Sequence, residues 1–222
     1  MRINVLQHTP NEGPGAIQSW SNDNGHEMYV YHPAQFNGVL PTADETDMLI
    51  ILGGPMSPND NDDWILNERE LIKELLSRDT PMFGACFGAQ QITKTLGYPV
   101  TKGPKEVGWA PVYLQNDVIP NLPDEVTALH WHEETFEIPE NAQLLFSSDC
   151  LKNQGFVMGH HVIGLQFHFE PLADNVREMV VNDGSYTKGS LLNQTPADIL
   201  QVKVPSENKQ VMYKLLDYIS ER

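Results

Sequence analysis

The stretch PMFGACFGAQQ, residues 81–91, decides the fold that the sequence predicts. Its apolar first residues are typical of a buried strand, and Ala89 and Ile92 begin a helical pattern beyond a turn of small residues. Cys86 stands at that turn between two glycines, which let the backbone bend sharply and pack closely. The unpaired N–H groups at the start of the helix favour a thiolate. The spacing therefore predicts a nucleophilic Cys86, and the competing interpretation is a buried core cysteine.

Strands and helices alternate on the N-terminal side of this turn. The apolar segments 3–8, 27–31 and 47–52 predict strands, and helical patterns cover 16–20 and 64–76. The segment 47–52 is almost continuous in large apolar residues, as a parallel strand covered on both faces should be. This alternation predicts an α/β fold with a flavodoxin-like, doubly wound and mostly parallel central sheet that is flanked by helices.

The pattern becomes rich in short strands on the C-terminal side of the turn. Four β-rich segments predict a partly antiparallel section in the middle of the chain: 107–114, 126–129, 144–146 and 156–158. A strand at 162–168 is expected to return to the central sheet, and helices are expected to begin near Leu172 and to cover 211–219. Residues 183–205 show no assignable pattern. Because there is no long linker or internal repeat, we expect residues 1–222 to form a single domain.

Composition and charge narrow the possible functions. Thirty acidic residues against 14 basic residues give a net charge of −16, which repels nucleic acid and acidic membrane surfaces. No apolar run approaches the ~20 residues that a membrane-spanning helix needs. The first residues resemble a strand and not a signal peptide, and two cysteines do not make a disulfide framework. We therefore expect a cytoplasmic protein that binds neither nucleic acid nor membrane.

A thiol nucleophile needs a base and a third group that orients the base. Among eight histidines, His168 follows an apolar strand, at the edge where open α/β sheets place their active-site crevice. Cys86 lies at the equivalent end of its own strand, so the two side chains can be neighbours. Glu170 follows two residues later and can turn back toward the imidazole. The alternative is an ordinary turn at the end of the strand that carries a solvated charge pair.

Two motifs resemble the signatures of class I glutamine amidotransferases. Residues 84–90, GACFGAQ, match the pattern G-x-C-x-G-x-Q, and residues 166–170, QFHFE, match Q-F-H-P-E with Phe169 in place of the usual proline. Residues 53–57, GGPMS, resemble the glycine loop that lends an oxyanion-hole N–H in this family. Residues 130–134, HWHEE, resemble its histidine-containing loop, which holds the α-amino acid end of glutamine. The four segments occur in family order over most of the chain.

The resemblance implies a role for each matching residue. Cys86 would attack the δ-carbonyl of a γ-glutamyl amide to form a thioester, His168 would carry the proton, and Glu170 would orient the ring. The backbone N–H groups of Gly54 and Phe87 would form the oxyanion hole. The residues that the resemblance implies in substrate binding are Gly53, Gln90, Trp131, His132 and Glu133.

We expect neither a metal nor a cofactor. His130 and His132, with the pair at 160–161, offer imidazoles but lack compact spacing with a carboxylate or thiolate partner. The acidic residues 60–63 lack the glycine and the closing glutamate of a calcium loop. Cys150 has no base beside it, and the residues of a phosphate-binding loop do not follow the third strand.

Three functions remain open at this point. The first, which we favour, is a stand-alone hydrolase of glutamine or of another γ-glutamyl compound, similar to single-domain relatives of the amidotransferase domain of GMP synthetase. The second is a glutaminase subunit that supplies ammonia to a separate synthase. The third is a non-catalytic binding or sensor protein on the same fold, which the complete set of Cys86, His168 and Glu170 argues against. The sequence leaves the small-molecule substrate itself unidentified.

Overall fold

The protein is built on one mixed sheet with helices on its faces. A computed structural model describes residues 1–36 and 38–221. Its strands are β1 (Arg2–Leu6), β2 (Glu27–Tyr31), β3 (Met48–Ile51), β4 (Met82–Ala85), β5 (Val100–Leu114), β6 (Glu125–Phe136), β7 (Gln143–Ser147), β8 (Gly155–Met158) and β9 (Val162–Leu165). Its helices are α1 (Gly15–Asp23), α2 (Asp63–Ser77), α3 (Phe87–Thr95), α4 (Ala173–Asp183), α5 (Pro196–Gln201) and α6 (Ser206–Ser220), with 3-10 turns at Ala43–Glu45 and Gly184–Thr187. None of the helices in these described ranges is long and apolar enough to cross a membrane.

Five strands form the parallel half of the sheet. In the strand order β2-β1-β3-β4-β9-β8-β7-β5-β6, each neighbouring pair from β2 to β9 is parallel. Met48 and Ile50 of β3 pack in one apolar cluster with α1 and α6, and Leu49 and Ile51 pack in another with α2 and α3. Both faces of β3 are therefore covered, which explains its continuous apolar sequence. The predicted doubly wound α/β architecture is confirmed.

The middle of the chain forms the antiparallel half. β9 is parallel to β4 on one side and antiparallel to β8 on the other, and β8 leads through β7 to β5 and β6. β5 and β6 are the longest strands, with 15 and 12 residues, and they pair with each other in antiparallel register. The predicted antiparallel section is confirmed, and its first two strands are longer than the apolar pattern indicated.

Two predicted boundaries near the candidate site are wrong. The strand expected over 162–168 ends at Leu165, because the chain then crosses to β6, where His168 forms an isolated antiparallel bridge with Leu129. Residues 130–134 were expected to form a loop, but they lie inside β6. Their pairing with β5 keeps them extended.

Residues 183–205, which the sequence left unassigned, pack beside β5 as a short 3-10 turn followed by α5. The Ser190 hydroxyl accepts a hydrogen bond from the Val107 N–H at 2.8 Å. The Gln194 side chain bonds both the N–H and the carbonyl of Trp109, at 2.9 and 2.7 Å. Because side-chain bonds to the backbone of β5 hold this segment, apolar periodicity did not mark it.

Candidate active site

Cys86 lies at a sharp turn between β4 and α3, with φ 50° and ψ −109°. Residues with a side chain rarely adopt such a positive φ, which costs about 1–3 kcal/mol and is typical of functional sites. The Cys86 N–H donates to the Leu165 carbonyl of β9 at 2.7 Å, which ties the turn to the neighbouring strand. A Cβ atom at Gly88 would stand 2.0 Å from the Ile51 carbonyl oxygen, so α3 can pack this closely only because residue 88 is glycine.

His168 and Glu170 approach this turn from the segment beyond β9. Two backbone hydrogen bonds with Leu129 of β6 hold His168, at 2.9 and 3.3 Å. Its Nδ1 atom lies 2.5 Å from Glu170 Oε1, and both side chains are almost completely buried. The other ring nitrogen, Nε2, has no hydrogen-bond partner among the described residues, and the Cys86 thiol interacts with the His168 side chain. The structure thus brings the three predicted triad residues together.

The electrostatics of the site favour an imidazolium at His168. Burial acts to lower the pKa of His168, but the Glu170 carboxylate and the Cys86 sulfur outweigh it, so the pKa stands well above its ordinary value. Burial raises the pKa of the Cys86 thiol, and His168 opposes that change. Because the positive ring is the stabilised form, a proton can pass from the thiol to the imidazole and leave a thiolate–imidazolium pair.

The glycine loop after β3 packs directly against the imidazole. A Cβ atom at Gly53 would lie 3.0 Å from His168 Cε1 and 2.1 Å from Glu12 Oε2. Gly54 lines the same cavity as the cysteine sulfur. The N–H of Phe87, the first residue of α3, interacts with that sulfur and favours its ionised form. The loop and the start of α3 therefore bring the two predicted oxyanion donors to the same end of the sheet.

A buried pair of side chains, His8 and Glu68, lies next to this loop. His8 Nε2 lies 2.9 Å from Glu68 Oε2, and Nδ1 lies 3.0 Å from the carbonyl oxygen of Leu52, the residue before the glycine loop. Burial acts to lower the pKa of His8, but Glu68 outweighs it and the pKa is raised. The His8 ring also packs edge-on against Phe87, with 4.8 Å between ring centroids. The pair thus contacts both elements that carry the predicted oxyanion donors.

A cavity of about 630 Å³ opens above the cysteine. Gln166 connects two of its residues: it accepts from Gln90 Nε2 at 3.2 Å, and its own Nε2 lies 3.7 Å from Cys86 Sγ. The Trp131 carbonyl oxygen lies 3.8 Å from the same sulfur. A groove of similar volume between residues 40–44 and α2 contains none of the predicted site residues. The predicted site residues that line the cavity above the cysteine are Cys86, Gly54, Gln90, Trp131, His132 and Glu133.

The sequence analysis missed several residues that line this cavity, among them Glu12, Asp183 and Tyr186. Asp183 Oδ2 accepts from Trp131 Nε1 at 3.1 Å, and the ring of Tyr186 lies 6.4 Å from that of Trp131. Glu12 follows β1 at the carboxyl edge of the sheet, which is the only signal that could have indicated it. Asp183 and Tyr186 belong to the segment that had no assignable pattern.

The structure corrects the argument about the histidines of β6. His130 and His132 do have a carboxylate neighbour, Glu106 of β5, and one ligand atom from each of the three lies within 4.8 Å of the others. Glu106 already accepts hydrogen bonds from Ser148 at 2.9 Å and from Gln154 at 2.6 Å. Burial lowers the pKa of His130 to about 3, so its ring is neutral. These contacts describe a polar network between β5 and β6, and the expectation of no metal stays a prediction.

The fold and the site together define a class: a doubly wound α/β protein with a cysteine at a strand-to-helix turn beside a buried His–Glu pair. The family model for class-I glutamine amidotransferases matches residues 21–184, which is most of the chain. The protein belongs to the class I glutamine amidotransferase family.

Several relatives are similar over different parts of the chain. A glutamine amidotransferase-like protein of Salmonella typhimurium, YfeJ, is 28% identical over 191 residues, which are 81% of this chain and 80% of the relative. GMP synthase of Borrelia garinii is 27% identical over 75% of this chain and 33% of its own length. Gamma-glutamyl peptidase 5 of Arabidopsis thaliana is 26% identical over 57% of this chain and 55% of its own. The crystal structure of a glutamine amidotransferase from Thermotoga maritima is 26% identical, with a TM-score of 0.90 over 100% of this chain and 99% of that one.

Proposed function

We propose that this protein hydrolyses the γ-amide of glutamine or of another γ-glutamyl compound, with Cys86, His168 and Glu170 as its catalytic residues. The observation that carries the proposal is the Cys86 turn at positive φ beside the buried His168–Glu170 pair. Family membership supports a γ-glutamyl amide as the substrate class, because amidotransferases and a γ-glutamyl peptidase are among the relatives.

In the first half-reaction, the Cys86 sulfur attacks the δ-carbonyl carbon of the γ-glutamyl group. The thiol proton passes to His168 Nε2 and then to the leaving nitrogen, so the C–N bond breaks as ammonia or an amine departs and a thioester remains. Glu170 holds the ring through Nδ1 and stabilises its positive form. The N–H groups of Gly54 and Phe87 would hold the oxyanion of the tetrahedral intermediate, and one such donor contributes about 3–4 kcal/mol to transition-state stabilisation.

In the second half-reaction, water attacks the thioester. His168 Nε2 takes a proton from the water, the C–S bond breaks, and the sulfur recovers that proton as glutamate is released. Water and substrate supply every atom of the products. The chemistry therefore requires neither a metal nor a cofactor.

The walls of the cavity favour hydrolysis by this chain alone over delivery of ammonia to a synthase. Asp183 and Tyr186 line the cavity from the end of α4 and the following 3-10 turn, and Asp183 bonds to Trp131 across it. The family-model match ends at residue 184, so Tyr186 lies outside the matched residues. A cavity of about 630 Å³ lies within the range of ~300–1,000 Å³ that is usual for ligands considerably larger than glutamine.

Turnover by the purified chain tests the proposal. The protein is incubated with glutamine and with several γ-glutamyl peptides, and the release of glutamate and of ammonia or amine is measured. We expect turnover that Cys86→Ser abolishes and that Cys150→Ser, at the exposed second cysteine, retains. No turnover of any substrate with an unoxidised Cys86 would refute stand-alone hydrolysis and favour a glutaminase subunit or a non-catalytic protein. Turnover by Cys86→Ser would refute the nucleophile assignment.

A further inference from the structure

Glu12 places a carboxylate beside the imidazole of the candidate triad. It lies in the loop after β1, it is half-buried, and it lines the cavity above Cys86. Glu12 Oε2 lies only 2.1 Å from the position that a Cβ atom at Gly53 would take, and that position is 3.0 Å from His168 Cε1. The missing side chain at residue 53 is therefore what leaves room for this carboxylate next to the ring.

The position of Glu12 assigns it to the leaving-group side of the cavity. Cε1 is bonded to both ring nitrogens, and Glu170 already holds Nδ1. The available nitrogen beside Cε1 is therefore Nε2, the atom that would pass its proton to the departing nitrogen of the substrate. The residues predicted to hold the α-amino acid end of the substrate, Trp131 to Glu133, belong instead to β6. Across residues 1–36 and 38–221 no side chain donates a hydrogen bond to the Glu12 carboxylate, and its backbone N–H bonds only to Thr9, at 3.3 Å.

The charges that surround Glu12 favour a positively charged ligand. Burial raises the pKa of Glu12; His168 opposes this, and Glu170 and Asp183 add to it. Glu133 and Glu134 also line the cavity. Lys102 is the one lysine or arginine among the described lining residues, and its Nζ is already 3.0 Å from Glu133 Oε1. A cation on the substrate would therefore be attracted, and a carboxylate there would be repelled.

We propose that Glu12 selects γ-glutamyl compounds whose leaving group carries a protonated amine, such as the mono-γ-glutamyl amide of a diamine. The inference rests on the proposed hydrolysis and names the substrate class of that site. The ammonium group would pair with the Glu12 carboxylate.

Three amides of matched length test the proposal: those of a four-carbon diamine, of an uncharged alkylamine, and of an ω-amino acid whose free end is a carboxylate. We expect the kcat/KM of wild-type protein to fall in that order, with a roughly 10- to 100-fold preference for the diamine amide over the neutral amide. Glu12→Gln should reduce this preference at least about tenfold, mainly through KM. Glu137→Gln, at an exposed carboxylate outside the cavity, should leave the preference unchanged. Because the readout is a ratio, any general effect of Glu12 on His168 cancels.

Calorimetric binding to a Cys86→Ala protein separates this proposal from the hydrolytic one. We expect the diamine amide to bind more tightly than the neutral amide, and the difference to disappear when Glu12→Gln is added. Equal hydrolysis of the two amides, or an unchanged preference in Glu12→Gln, would overturn the role of Glu12 and leave hydrolysis by Cys86 intact. Glu12-dependent binding without hydrolysis of any amide would support the role of Glu12 and overturn the proposed function.

Discussion

Replacing Glu170 by glutamine tests how the carboxylate acts on the candidate base. The substitution keeps the shape of the side chain and an oxygen that can accept from His168 Nδ1, but it removes the charge from a buried contact of 2.5 Å. Hydrogen bonds to charged groups contribute about 1.5–3 kcal/mol. With 1.36 kcal/mol for each factor of ten, we expect kcat/KM to fall roughly 10- to 100-fold. His168→Ala, which removes the base itself, should be more damaging.

The pH profile gives the sign of the effect. Glu170 is the main group that raises the pKa of His168 against burial. Without the carboxylate, burial dominates and the pKa of His168 falls, so the imidazolium is lost at a lower pH. The alkaline limb of kcat/KM, which reports the loss of the thiolate–imidazolium pair, should therefore move to lower pH in Glu170→Gln. Wild-type protein and Glu137→Gln serve as references.

Two results would refute this account of Glu170. One is an unshifted alkaline limb with kcat/KM reduced less than about threefold, which would show that the charge does not act on His168. The other is a Glu170→Gln variant that is less active than His168→Ala at equal stability, which would reverse the assigned roles. Thermal unfolding of each variant separates both outcomes from simple misfolding.

Two predictions concern stability near the site. Gly88→Ala brings a Cβ atom to 2.0 Å from the Ile51 carbonyl oxygen, so we expect about 2–3 kcal/mol of destabilisation in denaturant unfolding. Gly184→Ala, which has ordinary helical φ and whose Cβ atom would stand 3.3 Å from Pro196 Cγ, is the control, and equal losses in the two variants would contradict the packing argument. Glu68→Gln breaks the buried pair with His8 and should cost about 3 kcal/mol. Because the folded-state pKa of His8 is raised, the pair contributes fully below the unfolded pKa and is lost as pH rises through the folded value, so the loss should be larger at about pH 6 than at about pH 9. An identical loss at both pH values would show that His8 is uncharged in the folded protein.

The local sequence was sufficient for the core of the fold. Continuous apolar residues identified β3 as a strand buried on both faces, and the order of strands and helices around it identified the doubly wound sheet. The turn at Cys86 was equally predictable, because two glycines between an apolar strand and a helical pattern let the backbone bend sharply at that point. These features depend on residues that are close in the chain, and their periodicity is visible in it.

The contacts of the site depend on residues that are distant in the chain. His168 was expected at the end of a strand, but its position is set by the bridge to Leu129 of β6, since β9 ends three residues earlier. The side chain of Glu106 meets His130 and His132 only because β5 and β6 pair in the observed register. Such pairings leave no periodic signal in the sequence, so the predicted boundaries were wrong there.

The sequence by itself established the Cys86 turn, the α/β class, and the resemblance that links Cys86 to His168 and Glu170, because each rests on a short pattern or motif. Only the tertiary structure decided which other side chains reach the cavity above the sulfur. Glu12 comes from the loop after β1, and Asp183 comes from the end of α4. Their places depend on how separate parts of the chain pack at the carboxyl edge of the sheet, and packing between distant segments is a property of the folded chain.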